Sequence, residues 1–325
     1  MAAPASLAEM NEQFTAVAHP ALPAAARMGV WQTTLADDVT LLGIGLHSGK
    51  QVTLTMRPAA ADHGIVFVRT DIEDSQEATI PALCASVCEV TLSSKIGNAF
   101  GHKVGTVEHL MAALAFLRID NALIEVDAAE VPIMDGSAQP FVDAINQVGT
   151  REQGLARRVV RIKKPVRVQE GDSYCELLPD DERVFEAEID FESGAIGRQS
   201  YELKLDDDVF DADVVNARTF CMLQQVEAMH EAGLALGGSM DNAIVVDGDT
   251  VLNEDGLRSE REFVQHKLLD AVGDLYLTGL HMIGRYRGYK SGHALHNALL
   301  NALFNQPEAF ELVSLSDGEA ILAAE

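Results

Sequence analysis

Residues 30–57 alternate apolar and polar side chains around a glycine-rich break, Gly43-Ile44-Gly45-Leu46-His47-Ser48-Gly49. A period of two predicts half-buried strands on either side of a hairpin turn. Residues 157–191 hold further strand-like runs, Val159-Val160-Arg161-Ile162 among them. Three stretches change to a helical period. Over residues 259–277, Val264, Leu268, Ala271, Val272 and Leu275 gather on one side at about 100° per residue, and Ser259 and Glu262 have the spacing of a capping box. From Thr106, whose hydroxyl can cap a helix, Val107, Leu110, Met111, Leu114 and Leu117 form an apolar stripe. A third, leucine-periodic helix starts near His293 in Tyr289-Lys290-Ser291-Gly292-His293-Ala294-Leu295.

The chain also repeats itself weakly. Asp120-Asn121-Ala122-Leu123-Ile124-Glu125-Val126-Asp127 returns as Asp241-Asn242-Ala243-Ile244-Val245-Val246-Asp247. An Asp-Gly pair follows each copy (Asp135-Gly136, Asp255-Gly256), and then an apolar-periodic stretch opened by Phe141-Val142 or Phe263-Val264. Each copy reads as strand, turn, helix. Strands followed by helices in each half predict an α+β protein of two duplicated units. The expected division is residues 29–153 and 154–325, near Gly149 to Gly154 where apolar periodicity lapses. Residues 1–28, rich in alanine and broken by prolines, read as a disordered leader.

A length of 325 residues suits two domains. With 24 Lys+Arg against 50 Asp+Glu, the formal charge is −26, which argues against a nucleic-acid surface. No apolar run approaches the ~20 residues of a membrane helix. The leader has no basic residue before Arg27 and so lacks the n-region of a secretory signal. Cys84, Cys88, Cys175 and Cys221 are too few for a disulfide framework. Buried, reduced thiols and a cytoplasmic location are the expectation.

Candidate chemistry is carried by three segments. His266, Asp270 and Asp274, at i, i+4 and i+8, share the face opposite the apolar stripe of their helix. A His and a carboxylate one turn apart can converge on a metal, although for the helix alone a solvated polar face is the better reading. His109 stands off its own stripe beside Ala112 and Ala113, with Glu108 next to it, a pair that taken alone reads as a helix start. His293 reads as a helix-cap histidine and His296 as a bystander. Taken together, the segments hold two His and one Asp as ligands, a Glu to take a proton from water and a spare His to donate one. They come from both halves, which predicts a site between the two units. The glycine-rich break misses dinucleotide spacing and leads into a strand, so it reads as a turn. His47 at its tip could still meet an anion.

The motifs GIGLHSG, TVEHLMAALA, EVPIMDGSAQPFV, ARTF, LGGSMDNAIVV, NEDGLRSEREFVQHKLLDAVGDL and YKSGHALHNALL resemble those of the bacterial UDP-3-O-acyl-N-acetylglucosamine deacetylases, zinc amidases of lipid A synthesis. The resemblance runs from about Val30 to about Glu311. It implies two similar two-layer sheet/helix domains with the active site at their interface. It implies Zn²⁺ held by His109, His266 and Asp270, with Glu108 as general base and His293 as general acid. Asp274 would orient His293, and Thr219 would help hold the oxyanion. Lys267, Lys290 and His47 would face the diphosphate, Phe220 the sugar, and Gly238 would belong to the substrate site. An insert within residues 221–251 would form a tunnel for the acyl chain, with Met222, Leu223, Val226, Met229, Leu234, Leu236 and Met240 as lining. The implied partner is the small-molecule substrate alone, bound by a monomer. Two alternatives remain at this point. One is a zinc amidohydrolase of another substrate, and the other is a non-catalytic domain stapled by zinc.

Overall fold

A computed structural model describes residues 28–205 and 211–315. Short helical turns aside, the first half runs β1 (Trp31–Leu35), β2 (Val39–Ile44), β3 (Gln51–Pro58), β4 (Ile65–Arg69) and β5 (Thr79–Pro81). Three short strands follow, β6 (Val87–Glu89), β7 (Lys95–Gly97) and β8 (Lys103–Val104). Then come α1 (Glu108–Phe116), β9 (Ala122–Val126), α2 (Gln139–Val148) and β10 (Thr150–Ala156). The second half runs β11 (Arg158–Ile162), β12 (Val166–Glu170), β13 (Ser173–Leu178), β14 (Arg183–Asp190) and β15 (Arg198–Lys204). Next are β16 (Phe220–Met222), α3 (Leu223–Glu231), β17 (Ile244–Asp247) and β18 (Thr250–Val251). It closes with α4 (Glu262–Leu275), β19 (His281–Tyr289), α5 (His293–Phe304) and β20 (Phe310–Ser314).

Strand order shows the duplication directly. One sheet is ordered β2-β3-β9-β4-β5, with β9 antiparallel to β3 and parallel to β4. In the other, β12 pairs β13, β13 pairs β19, β19 pairs β14 and β14 pairs β15; β19 is antiparallel to β13 and parallel to β14. The antiparallel pair β1–β10 is matched by β11–β20. The architecture is therefore α+β, two copies of a sheet carrying helices. The repeat legible in the sequence is nevertheless out of register. Asp120–Asp127 contains β9, which follows α1, whereas the Asp241–Asp247 copy contains β17, which precedes α4 and lies in a separate sheet β16-β17-β18. By topology β9 corresponds to β19, and α2 to α5. Any strand feeding a buried helix through an Asp-Gly turn produces the same local pattern, so resemblance of pattern did not mean equivalence of place.

Two expected boundaries change. The division between residues 153 and 154 falls inside β10, whose residues pair with β1. The expected leader includes Met28, which is buried against Val159, Ile283, Val313 and Leu315, and its carbonyl accepts from buried Arg157. Residues 1–27 of that leader lie outside the described residues.

Helices α1 and α4 pack on one another, each also covered by other elements, so both are buried nearly all round. The face carrying His266, Asp270 and Asp274 is not solvated; all three are buried. Gly273 makes the close approach possible, since a Cβ there would lie 1.9 Å from the Glu108 carbonyl oxygen. Gly273→Ala should therefore cost at least the ~1–3 kcal/mol of overpacking and displace Glu108. Thermal unfolding checks the first effect, and a variant melting like the parent would refute it.

Neither expected helix cap forms. Thr106 has φ +55° and donates its hydroxyl to Glu130 Oε1 at 3.0 Å, leaving α1 to start at Glu108 without a side-chain cap. The Glu262 carboxylate, assigned to a capping box with Ser259, instead accepts from Arg218 Nε at 2.8 Å and from the Arg258 amide at 2.6 Å. A buried guanidinium without a counter-charge is costly, and that demand outranks a cap. The four cysteines are unpaired, with Cys84 and Cys175 buried and Cys221 half-buried; Cys88 is exposed, contrary to expectation.

Candidate metal centre and catalytic site

Three helix segments deliver the site. The first turn of α1 presents Glu108 and His109, consecutive turns of α4 present His266 and Asp270, and the first residue of α5 is His293. Donor atoms of His109, His266 and Asp270 lie within 4.8 Å of one another. Asp270 Oδ1 is 3.6 Å from His109 Nε2 and 3.4 Å from His266 Nε2, too long for good hydrogen bonds. Donors bound tetrahedrally at ~2.0–2.1 Å would be separated by about 3.4 Å, so the three fit a zinc-like ion. His266 Nδ1 bonds the Ala217 carbonyl at 3.0 Å, which puts the proton there and leaves Nε2 free to ligate. Burial drives the His266 imidazole down to about 3, so it is neutral as a ligand must be. Burial opposes the charge on Asp270, but His266 and Lys267 hold its carboxyl well below the usual range. Lys267 Nζ donates to Asp270 Oδ2 at 2.7 Å.

Beside this triad Glu108 and His293 face one another. His293 Nε2 lies 3.9 Å from Glu108 Oε1. Burial pushes the Glu108 carboxyl up to about 7, against the pull of His293 and His109. Burial also opposes charge on His293, yet Asp274, bonded to its Nδ1 at 2.7 Å, raises the imidazole to about 10. Asp274 stays below the ordinary carboxylate range despite its burial, because His293 and His296 favour its charge. Near neutral pH the pair thus holds one group poised to accept a proton and one charged to give it.

Two members of this constellation were not legible as such. Ser94, on the segment between β6 and β7, donates its amide to Glu108 Oε2 at 3.1 Å and its hydroxyl to Asp274 Oδ1 at 2.5 Å. His296, read as a bystander, bonds Asp274 Oδ2 through Nδ1 at 2.7 Å. The i, i+3 spacing of His293 and His296 was the available signal for the latter. Nothing marked Ser94 in the sequence, since its partners are brought together only by the fold.

The remaining expected residues divide between two places. Thr219, Phe220, His47 and Gly238 line an apolar cavity of about 310 Å³. Of the residues expected there, Leu223, Val226, Met229 and Met240 contribute, while Met222, Leu234 and Leu236 are not in its lining. The first half supplies Leu46 and Leu92, so the cavity is not made by the insert alone. His47 is buried in its wall, where Nδ1 accepts from the Ala235 amide at 3.4 Å, rather than at an open anion-facing tip. The amides of His47 and Ser48 are taken by Glu130 at 2.8 and 2.9 Å, which confirms that the glycine-rich turn is no phosphate loop. Phe220 packs edge-on against Phe263 and His266, with Lys267 Nζ 5.7 Å over its ring. Lys290, with φ +49°, is tied to Asp172 at 3.1 Å and Asp190 at 3.4 Å.

The sequence model of one family, UDP-3-O-acyl N-acetylglycosamine deacetylase, matches residues 32–305. The chain belongs to this deacetylase family. Among curated deacetylases, it is 48% identical over 287 residues to the UDP-3-O-acyl-N-acetylglucosamine deacetylase of Shewanella violacea, covering 88% of this chain and 93% of that one. The enzyme of the same name from Histophilus somni is 47% identical over 292 residues, 89% of this chain and 95% of its own. That from Phenylobacterium zucineum is 46% identical over 288 residues, 89% and 98%. The range matched by the family model, 32–305, contains every residue of the candidate site.

Proposed function

We infer that the protein hydrolyses the N-acetyl group of UDP-3-O-acyl-N-acetylglucosamine to acetate and the free 2-amino sugar nucleotide, the committed step of lipid A biosynthesis. The observation that carries the reading is the convergence of Glu108 and His293 beside the His109–His266–Asp270 triad in a chain of this family. Three protein donors leave a position open for water or substrate, as catalytic zinc sites do and closed structural ones do not. That favours a catalyst over a zinc staple. Zinc held there supplies Lewis acidity toward the amide carbonyl and lowers the pKa of water.

In this reading the chain's own groups do the rest. Glu108 takes the proton of the attacking water as the new C–O bond forms. Thr219 helps stabilise the charge that develops on the carbonyl oxygen. An amine leaves poorly until protonated, so His293 donates from Nε2 to the amide nitrogen as the C–N bond breaks. Asp274 keeps His293 oriented and charged. Lys267 and Lys290 are assigned to the diphosphate, Phe220 to the sugar, and Gly238 to the acyl cavity. Among the described residues no helix is long and apolar enough to cross a membrane. We assign the enzyme to the cytoplasm, as a monomer.

The direct test is acetate release from UDP-3-O-acyl-N-acetylglucosamine by the metal-replete protein; no release would overturn the reading. The cavity adds a second expectation. Each CH₂ buried contributes about 0.8 kcal/mol, so removing four carbons from the acyl chain should lower kcat/KM by roughly 10²-fold. Equal turnover of short- and long-chain substrates would instead favour an amidohydrolase of another substrate.

A further inference from the structure

Asp274 is shared. Its Oδ2 accepts from Nδ1 of His293 and from Nδ1 of His296, both at 2.7 Å, while Oδ1 accepts from Ser94 Oγ. The two imidazoles are set edge to face, with ring centroids 6.4 Å apart. Behind His296 the network continues inward. His296 Nε2 lies 2.8 Å from Tyr286 Oη, which lies 2.8 Å from Ser291 Oγ. Tyr286 and His296 are buried, and Tyr286 comes from β19 while His296 is on α5.

The directions of these bonds follow from chemistry. Asp274, charged, can only accept, so His296 carries its proton on Nδ1. In the neutral ring Nε2 is then an acceptor, faced by Tyr286 Oη at 2.8 Å and by Ser291 Oγ at 3.4 Å. With Tyr286 donating to it, the tyrosine oxygen is left to accept from Ser291. In that arrangement the tyrosine supports the tautomer of His296 that can hold Asp274. Without that second donor, Oδ2 would be anchored by His293 alone. Ser94 on Oδ1 would then be the other side-chain donor left to hold the carboxylate against the motions of His293.

We propose that His296 is a positioning residue for the deacetylation: it clamps Asp274 from the side away from the substrate, with Tyr286 fixing its tautomer, so that Asp274 holds His293 in line with the departing nitrogen. This rests on the reading of His293 as proton donor. A buried histidine with both nitrogens bonded could serve packing alone, so the test needs a readout that packing would not move. Loss of an outer hydrogen-bond partner typically costs 10–100-fold in activity.

The experiment compares His296→Ala, His296→Asn and Tyr286→Phe with the parent enzyme, each loaded with zinc, by steady-state acetate release. An asparagine amide can occupy the place of Nδ1–H and donate to Asp274, but it cannot reach Tyr286. The alanine variant should lose roughly 10–100-fold in kcat with KM within about twofold and zinc content unchanged. The asparagine variant should recover most of that kcat. Tyr286→Phe keeps the ring that packs on Phe185 and should lower kcat several-fold at constant KM. Parental kcat in His296→Ala, or an asparagine variant no faster than a folded alanine variant, overturns the proposal. Should the alanine variant fail to fold, parental kcat in Tyr286→Phe overturns it. Absence of acetate release from the parent enzyme, by contrast, overturns the functional reading and not this clamp.

Discussion

Glu108→Gln should keep the fold and the metal and lower kcat by roughly 10²–10⁴. The amide still offers an oxygen to the Ser94 amide, now at 3.1 Å from the carboxylate, so the first turn of α1 is preserved. What disappears is a base close to His293 and to the metal donors. A carboxylate that only favoured the helix N-terminus would cost about 0.3–1 kcal/mol of stability and little rate. Assays of zinc content, melting temperature and acetate release separate the two outcomes. A folded, zinc-replete Glu108→Gln enzyme with near-parental rate would falsify the mechanism. In the proposed mechanism both groups serve one proton-transfer sequence, so Glu108→Gln combined with His293→Ala should lose less than the product of the single losses.

The pH profile follows with its sign. As the proposed base, Glu108 would act deprotonated, so the parent enzyme should lose kcat/KM as pH falls through that group's titration. Burial, offset in part by His293 and His109, brings it to about 7, and a bound cation would favour the carboxylate further, so the acid limb lies at or below that value. As the proposed acid, His293 would act protonated, and its imidazole at about 10 would be lowered by the same cation. The alkaline limb therefore lies at or below that value. The limbs are macroscopic properties of the joined groups, but the acid one should vanish in Glu108→Gln.

The other large effect concerns the triad. His109→Ala, His266→Ala and Asp270→Ala should each lose bound zinc and bring acetate release to background, because two remaining donors no longer enclose an ion. The three should differ in stability. Asp270→Ala strands half-buried Lys267, whose ammonium is bonded to that carboxylate. It should unfold most easily of the three, by less than the ~3–5 kcal/mol of a fully buried pair. His109 Nδ1 has no hydrogen-bond partner among the described residues, so His109→Ala removes fewer bonds and should melt closest to the parent freed of metal. Full zinc occupancy in all three variants would refute the site.

Some of this was decided within short windows of sequence. The alternation around Gly43 to Gly49 specified a hairpin, and β2 and β3 form it, because strand pairing across a short turn is a local matter. The periods of residues 106–117 and 259–277 located α1 and α4, and His266 with Asp270 had to share a helix face wherever that helix went. The motifs around His109, His266 and His293 carried the family. Tertiary structure decided everything that depended on a partner distant in the chain. It buried the face of α4 that looked solvated, by laying α1 against Gly273. It diverted Glu262 from a cap to Arg218, joined Met28 to the core, and made β19 rather than β17 the counterpart of β9. It turned His296 from a bystander into a partner of Asp274, and built the cavity from both halves. The physical reason is the same in each case. Periodicity and capping reflect energies within a few residues, while burial and buried charge depend on which surfaces meet. Where those two disagreed, the larger cost of an unpaired buried group prevailed.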